Sequence, residues 1–416
     1  MQTRTANETR QQLDELPVVD VHTHLGRNWQ AGNLAQIVSY HWLEVELKRA
    51  AGGPFEANPQ ENPEDYIRQV LPHFPAIRNT SNHYACMRML HDLYGLEGRT
   101  LTPENWEAVD RAVRERAADP SWVRRVTDRA GVKKVLAMPG NVPEPPERFV
   151  PYAYGEPYLD VHSPRLLREL AGEDNEQATG PGQLRDQIQT RIRRTVEEQH
   201  IRALHVWPRG SWEYEPVGDD RIGEVLAGCC REKELSARQE NALQSFCADA
   251  AADAAGRHGL VVQIFHGSAD YADCGHSSHW NPGFIRAFAR HVARHPGVRY
   301  DLFLGTRIPG HEAVSIARSH PNLMVSGAWW HAFTPGTMLG FFRDRLEMLP
   351  NTAWSAFYSD AYVIEWLYAK LQVTKNRLAH ALAGMVEEGF LTREDVPEIA
   401  RKVLYENPVR YYRLGD

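Results

Sequence analysis

The sequence predicts an α/β protein, a (β/α)8 TIM barrel with a long helical insertion after its first strand. Three observations carry that reading. Eight short apolar runs rich in β-branched residues recur along the chain. Helix-patterned segments that end in glycine or Pro-Gly separate the later ones. One connection, residues 25–130, is far too long for a loop and is itself patterned as helices.

The runs are PVVDVHTH (17–24), GVKKVLAM (131–138), FVPYAY (149–154), IRALHVW (201–207), LVVQIFHG (260–267), VRYDLFLG (298–305), LMVSGAWW (323–330) and TAWSAFYSD (352–360). Stretches this apolar suit strands buried on both faces of a parallel sheet. Segments 238–259 and 281–297 read as helices with glycine stops. Within 25–130 the helical patterns are AQIVSYHWLEVELKRAAGG, PEDYIRQVLPHFPAIRN, SNHYACMRMLHDLYGLEG and TPENWEAVDRAVRERAADPSWVRRVTDRAG. The expected division is therefore a barrel from 1–24 and 131–416, with 25–130 as an insertion or lid over the face where barrel sites lie. Residues 155–185 and the CGHSSHW stretch (274–280) read as loops, and the tail from Thr392 as a closing amphipathic helix.

Composition narrows the function. The chain has 416 residues, of which 42% are hydrophobic and 24% charged, enough for a large core and unlike a disordered chain or a coiled coil. Its net charge of -7 argues against a nucleic-acid partner. No apolar window is long enough for a membrane helix, and the polar start carries no signal-peptide core. Five cysteines, at 86, 229, 230, 247 and 274, show no metal-like spacing and read as reduced thiols of a cytoplasmic protein. A homo-oligomer acting on a small-molecule substrate is expected.

The sharpest motif is VVDVHTHL. Residues two apart on a strand face the same way, so His22 and His24 converge at the end of the first run. Converging neutral imidazoles suit a divalent transition metal. His266 ends the fifth run and is a candidate third ligand, or a cap for the next helix. Asp360 ends the eighth run, where a buried carboxylate needs a cation, either a metal or an arginine. Strands 1 and 8 of a closed barrel are neighbours, so His22, His24, His266 and Asp360 form the expected metal set. Asp360 is also a candidate base. His205, on the fourth run, is a candidate ligand, proton shuttle or packing residue. Trp329 and Trp330 end the seventh run, and opposite-facing strand positions would send one indole into the pocket; the adjoining His331 is open in the same way. Arg307 follows the sixth run and could clamp a substrate carboxylate, or pair with Glu312 or Asp301. Arg78, Tyr40, His41 and Trp42 lie in the insertion and could close over a polar ligand or pack.

These motifs resemble the amidohydrolase superfamily: HxH after the first strand, a histidine on the fifth and an aspartate on the eighth. Within it the chain looks like the uronate isomerase branch. SYHWLEVELKRAAG resembles that family's aromatic helix, MVSGAWW its double-tryptophan strand, and FYSDAY falls where its last-strand motif sits. The sixth run, LFLGTRIP, has no histidine, which the branch does not need. HGSADY, WWHAF and YSDAYVIEWLY depart from the family's arginine- and acid-bearing versions.

The resemblance implies an aldose–ketose isomerase acting on a hexuronate or similar sugar acid. It would use one divalent metal, zinc first and manganese or iron as alternatives. Asp360, His41 or Tyr40 would move the proton through an enediol, and Arg307 or Arg78, with Trp329, Trp330 and His205, would bind substrate. Two other readings stand beside it: a hydrolase or decarboxylase of the same superfamily using a metal-activated water, and a binding protein that kept the barrel without activity.

Overall fold

The structure is a computed structural model that describes residues 4–172, 177–208, 213–231, 234–271, 275–278 and 281–415. Its strands are β1 (Val18–Asp20), β2 (Val132–Ala137), β3 (Phe149–Pro151), β4 (Ala153–Tyr154), β5 (Ala203–Val206), β6 (Val261–His266), β7 (Ser268–Tyr271), β8 (Gly275–Ser278), β9 (Arg299–Leu304), β10 (Leu323–Ser326) and β11 (Trp354–Ser355). Each of the eight apolar runs contains a strand. The chain forms two compact units, one of residues 1–149, 333–342 and 356–405, the other of 150–332, 343–355 and 406–416.

In the first unit β1 pairs with β2 in parallel, with a register irregularity between Val18 and Val19. The connection between them is helical as expected: Leu34–Val38, His41–Ala51, Pro63–Val70, a 3-10 stretch Leu71–Ile77, Ser81–Tyr94, Trp106–Ala117 and Trp122–Ala130. The first pattern breaks in two at Ser39–Tyr40; Asn33 caps the start of its first helix by accepting from the Gln36 N–H.

Of these, Ser81–Tyr94 and Trp122–Ala130 pack on the long helix Ile364–Glu387, most of whose side chains are buried. One carboxylate organises much of that docking. Buried Glu365 accepts from the Tyr94 hydroxyl at 2.7 Å, the Trp122 indole N–H at 2.9 Å and the Ala31 N–H at 3.1 Å. Its partners come from three separate stretches of the insertion, so the buried charge is fully engaged.

In the second unit the strand order is β11-β10-β9-β6-β5-β4, and the pairs given between neighbours are parallel. Inside this sheet Asp301 accepts from Ser326 Oγ at 2.7 Å and from the Tyr412 hydroxyl at 2.6 Å, and the Gln263 amide donates to Tyr412 at 2.9 Å. Burial pushes the Asp301 carboxyl up to about 7, against the pull of its two hydroxyl donors.

Several expected elements differ. The stretch 155–185 is largely helical where described (Glu156–Leu159, Pro164–Ala171 and the start of Pro181–Gln199). Ser163 accepts from the Leu166 N–H, Pro164 opens the second of these helices, and Leu167 and Leu170 bury its apolar stripe. Residues 173–176 lie outside the described residues. The expected loop at 274–280 forms, over its described part, β8 of a hairpin with antiparallel β7. These strands carry few β-branched residues, so the pairing, not propensity, makes them. Cys274, His279 and Trp280 lie outside the described residues; the described cysteines 86, 229, 230 and 247 are free thiols. The seventh run leaves the sheet at Ser326, so Trp329 and Trp330 are not strand neighbours facing opposite ways. The eighth is regular only at Trp354–Ser355. The tail is helical, with a π-type turn at Lys402–Glu406 between Asp395–Arg401 and Asn407–Tyr412. No helix among the described residues is long and apolar enough to cross a membrane.

Candidate active site

Past β1 the chain stays extended without a regular ladder. Residues 20–24 run beside 359–361: the Asp360 N–H donates to the His22 carbonyl at 3.0 Å, and the His24 N–H to the Ala361 carbonyl at 2.8 Å. Asp20 fixes the start of this pairing. Its buried carboxylate accepts from the Ser359 N–H at 2.9 Å and the His22 N–H at 3.2 Å. Burial nonetheless pushes Asp20 up to about 7.

Asp360 itself has φ 52°, in the left-handed region that costs a non-glycine residue roughly 1–3 kcal/mol. The flanking bonds impose that turn, and the turn aims the carboxylate at the two imidazoles. Asp360 Oδ1 lies 3.1 Å from His24 Nε2 and 3.6 Å from His22 Nε2. The two rings stand edge to face at 5.0 Å. Burial would raise the Asp360 carboxyl, but the His24 bond and the charges of His24, Lys370 and His22 bring it down to about 2.

One ligand atom from each of His22, His24 and Asp360 lies within 4.8 Å of the others. Two imidazole nitrogens and an ionised carboxylate at that spacing, in a nearly water-free setting, are a donor set that fits a divalent cation. Three of the four ligands expected from the sequence, His22, His24 and Asp360, belong to this group; the fourth, His266, ends β6.

An aromatic wall stands on one side. Tyr362 stacks on His24 at 4.7 Å and meets His41 edge-on at 5.4 Å. Tyr40 donates to the Asp360 carbonyl at 3.3 Å. Behind them Lys370 is wholly buried. Its Nζ donates to the Tyr40 hydroxyl at 2.7 Å and to the Ser359 carbonyl, and lies 3.9 Å over the Trp42 ring. Burial lowers Lys370 to about 8, against the pull of Asp360 and Asp20. Burial, and then the Asp360 charge, push the Tyr40 phenol well above its ordinary value, so it stays a donor.

Tyr40 thus bonds to the Asp360 carbonyl and His41 meets Tyr362, while Trp42 is buried under Lys370. Sequence reasoning did not single out Tyr362, Lys370 or Asp20. Tyr362 is two residues past Asp360 and Asp20 two before His22, so both signals were local. Lys370 gave none, since its role depends on a helix passing behind the turn.

Of the other candidates, His266, His205, Trp329, Trp330, His331 and Arg307 lie in the second unit and Arg78 in the first. His266 ends β6, buried, with its ring stacked on Phe284 at 3.7 Å. His205 sits on β5, edge-on to Phe265 at 4.5 Å, its Nε2 3.7 Å from Glu156 Oε1. Trp329 is buried against Trp207 at 5.3 Å and Phe265 at 5.2 Å. Its ring occupies the space where a Gly305 side chain would be, 2.7 Å from an added Cβ. Trp330, with φ 45°, opens a 3-10 turn that carries exposed His331. Arg307 is exposed and makes no ion pair among the described residues. Asp301 is engaged with Ser326 and Tyr412 instead. Arg78, in the first unit, is exposed and donates to the Pro75 carbonyl at 3.2 Å.

No family model and no curated protein matches the chain. Solved structures do. The chain superimposes on uronate isomerase from Thermotoga maritima with a TM-score of 0.83 at 14% identity, over 99% of this chain and 98% of that one. It superimposes on glucuronate isomerase from Caulobacter crescentus with a TM-score of 0.81 at 14% identity, over 99% and 94%. The fold is the TIM barrel of the uronate isomerase structures. A candidate metal-dependent hydrolase from Lactobacillus casei also matches, with a TM-score of 0.62 at 13% identity over 97% of each chain. At these identities the likeness establishes the fold, and the chemistry has to be argued from the residues.

Proposed function

We propose that the protein is a metal-dependent aldose–ketose isomerase acting on a hexuronate or a similar sugar acid. The observation that carries this is the His22–His24–Asp360 cluster, with Tyr40 and His41 beside it, in a chain with the fold of uronate isomerase structures. A divalent cation held by the cluster would supply Lewis acidity, polarising the sugar carbonyl and acidifying the adjacent C–H.

The side chains supply the rest. The ionised Asp360 carboxylate, or the half-buried His41 imidazole, takes the proton from C2, leaving an enediolate, and returns it at C1 as the O2 hydroxyl proton passes to O1. Tyr40 remains protonated and donates to the Asp360 carbonyl, fixing the turn that aims the carboxylate. Tyr362 and His41 shield one side of the cluster from water. The proposed carboxylate clamps, Arg78 and Arg307, are tested by Arg78→Met and Arg307→Met. The true clamp raises KM at least tenfold for the acid while leaving an uncharged sugar analogue unaffected. The proposed substrate contacts of Trp329, Trp330 and His205 are tested by the same KM comparison.

The test incubates purified protein, loaded in turn with zinc, manganese or iron, with glucuronate and galacturonate, and follows ketose formation by NMR in D2O. Turnover with deuterium at C1 supports the reading. A folded, metal-loaded protein that converts neither acid removes the substrate assignment and leaves the cation site standing. The likeness to a candidate metal-dependent hydrolase favours a second reading, hydrolysis of an amide or lactone, or decarboxylation, at the same cluster. Release of acid or CO2 from such substrates, without ketose formation, would select it.

A further inference from the structure

A second group of ligating side chains lies away from the strand ends, on two helices of the second unit. We infer that Asp249, His291 and His295 form a second divalent-cation site, which ties helix Ala237–His258 to helix Pro282–Arg294. This assignment is independent of the proposed isomerase reaction.

The spacing is the helical counterpart of HxH. His291 and His295 are four apart at the end of one helix, and Asp249 and Asp253 are four apart on the other, so each pair shares a face. Asp249 Oδ1 lies 3.0 Å from His291 Nδ1 and 2.9 Å from His295 Nε2. The two rings are 4.7 Å apart. One ligand atom from each of the three residues lies within 4.8 Å of the others.

His291 faces Asp249 off the line of a regular hydrogen bond, whereas His295 Nε2 is within hydrogen-bonding distance of Asp249 Oδ1 at 2.9 Å. The His291 side chain is 1% exposed, and its Nδ1 has no aligned hydrogen-bond partner among the described residues despite its closeness to Asp249. A ring nitrogen facing a carboxylate oxygen at this distance without N–H alignment is how two ligands of one ion are disposed. The far side of each ring is already held. His291 Nε2 meets the Tyr300 hydroxyl at 3.0 Å, and His295 Nδ1 meets Asp253 Oδ1 at 3.2 Å. Such outer partners fix ring orientation and leave the inner nitrogens to ligate. Burial lowers His291 to about 4, so the ring is neutral at neutral pH.

Two imidazoles and one carboxylate suit zinc or a similar late first-row divalent ion, with a fourth position open to water. Arg294 is the competitor. Its Nη2 lies 3.1 Å from Asp249 Oδ1 and donates to the Tyr214 carbonyl at 2.7 Å. It is part-exposed and can release the carboxylate while keeping the carbonyl. The site opens to solvent on the Asp253 side, whose side chain is 55% exposed.

The test measures zinc bound to the full-length protein by equilibrium dialysis and metal analysis. A His22→Ala/His24→Ala protein is expected to take up one equivalent. Adding His295→Ala or Asp249→Asn is expected to remove that equivalent, or weaken it at least tenfold, and to abolish the rise in Tm that zinc gives. Arg294→Met is expected to tighten it. If the double variant does not fold, His295→Ala in the otherwise unaltered protein must lower the zinc count by one. Zinc uptake unchanged by both His295→Ala and Asp249→Asn, or no uptake by a folded His22→Ala/His24→Ala protein, overturns the assignment.

Discussion

His22 and His24 meet because they are two residues apart in extended chain. His291 and His295 meet because they are four apart at the end of a helix. In the first cluster the carboxylate comes from a strained left-handed turn, braced by a buried lysine and by backbone bonds on both sides. In the second it comes from an ordinary helical position and shares its oxygen with an arginine. Strain held in place by surrounding contacts is common where chemistry happens. The same set of two histidines and one aspartate is thus presented by two different kinds of backbone.

That contrast can be broken most directly by substitution of one histidine from each cluster. His24→Ala is expected to lower kcat/KM for the uronate about a thousandfold or more, since it removes an imidazole aimed at the reacting centre. His295→Ala is expected to leave it within about twofold and to lower Tm in zinc. Equal losses of activity in steady-state assays would show that the clusters do not differ as described. A similar collapse, about a thousandfold in kcat, is expected for Asp360→Asn, with the fold retained by circular dichroism.

Lys370→Met should sharpen the role of the brace. The methionine fills most of the space but gives nothing to the Ser359 carbonyl or the Tyr40 hydroxyl. A fall of about tenfold in kcat with KM little changed is expected. Lys370→Arg should restore part of it if positioning is the cause, and an unchanged kcat in Lys370→Met would show that the turn holds without it.

A smaller effect concerns the polar core of the second unit. Asp301 carries its proton in the fold up to about pH 7, whereas the unfolded chain releases it near the ordinary aspartate value of 3.8. The folded state therefore binds more protons between those values, and the contribution of Asp301 to stability falls as pH rises through that window. Urea denaturation at pH 5 and pH 8 should show a smaller pH dependence in Asp301→Asn than in the unaltered protein; an identical pH dependence would refute it. Smallest of all, Gly305→Ala should cost about 1–3 kcal/mol, measured in the same way, because the new methyl meets the Trp329 ring.

Much of this was legible in the sequence, and the reason is periodicity. All eight apolar runs carry strands, and the helical insertion was visible because a patterned stretch of that length cannot be a loop. His22 and His24 could be read together because two-residue spacing in extended chain turns them the same way, and Asp360 joined them through the neighbouring last run, although a turn and not a strand end sets its direction. What escaped depended on long-range contact. Nothing in YSDAYVIEWLYAK announces that Lys370 reaches back to Ser359, or that Asp360 adopts a left-handed turn. The helices within 155–185 were hidden by their polar composition, and only the burial of Leu167 and Leu170 reveals their inner stripe. HVARH lay within a helix that was expected, and its i, i+4 histidines were as readable as HTH. The partner aspartate sits on another helix, where no local pattern points to it.

Glu365 has a consequence for relatives of this chain. Its three donors belong to the segment between β1 and β2, so a version of the protein lacking that segment would strand an acid in its interior. Position 365 is therefore a one-letter marker. Homologues with a short first crossover should carry an aliphatic residue there, and grafting the helices onto such a homologue should succeed only when that residue is changed to glutamate as well.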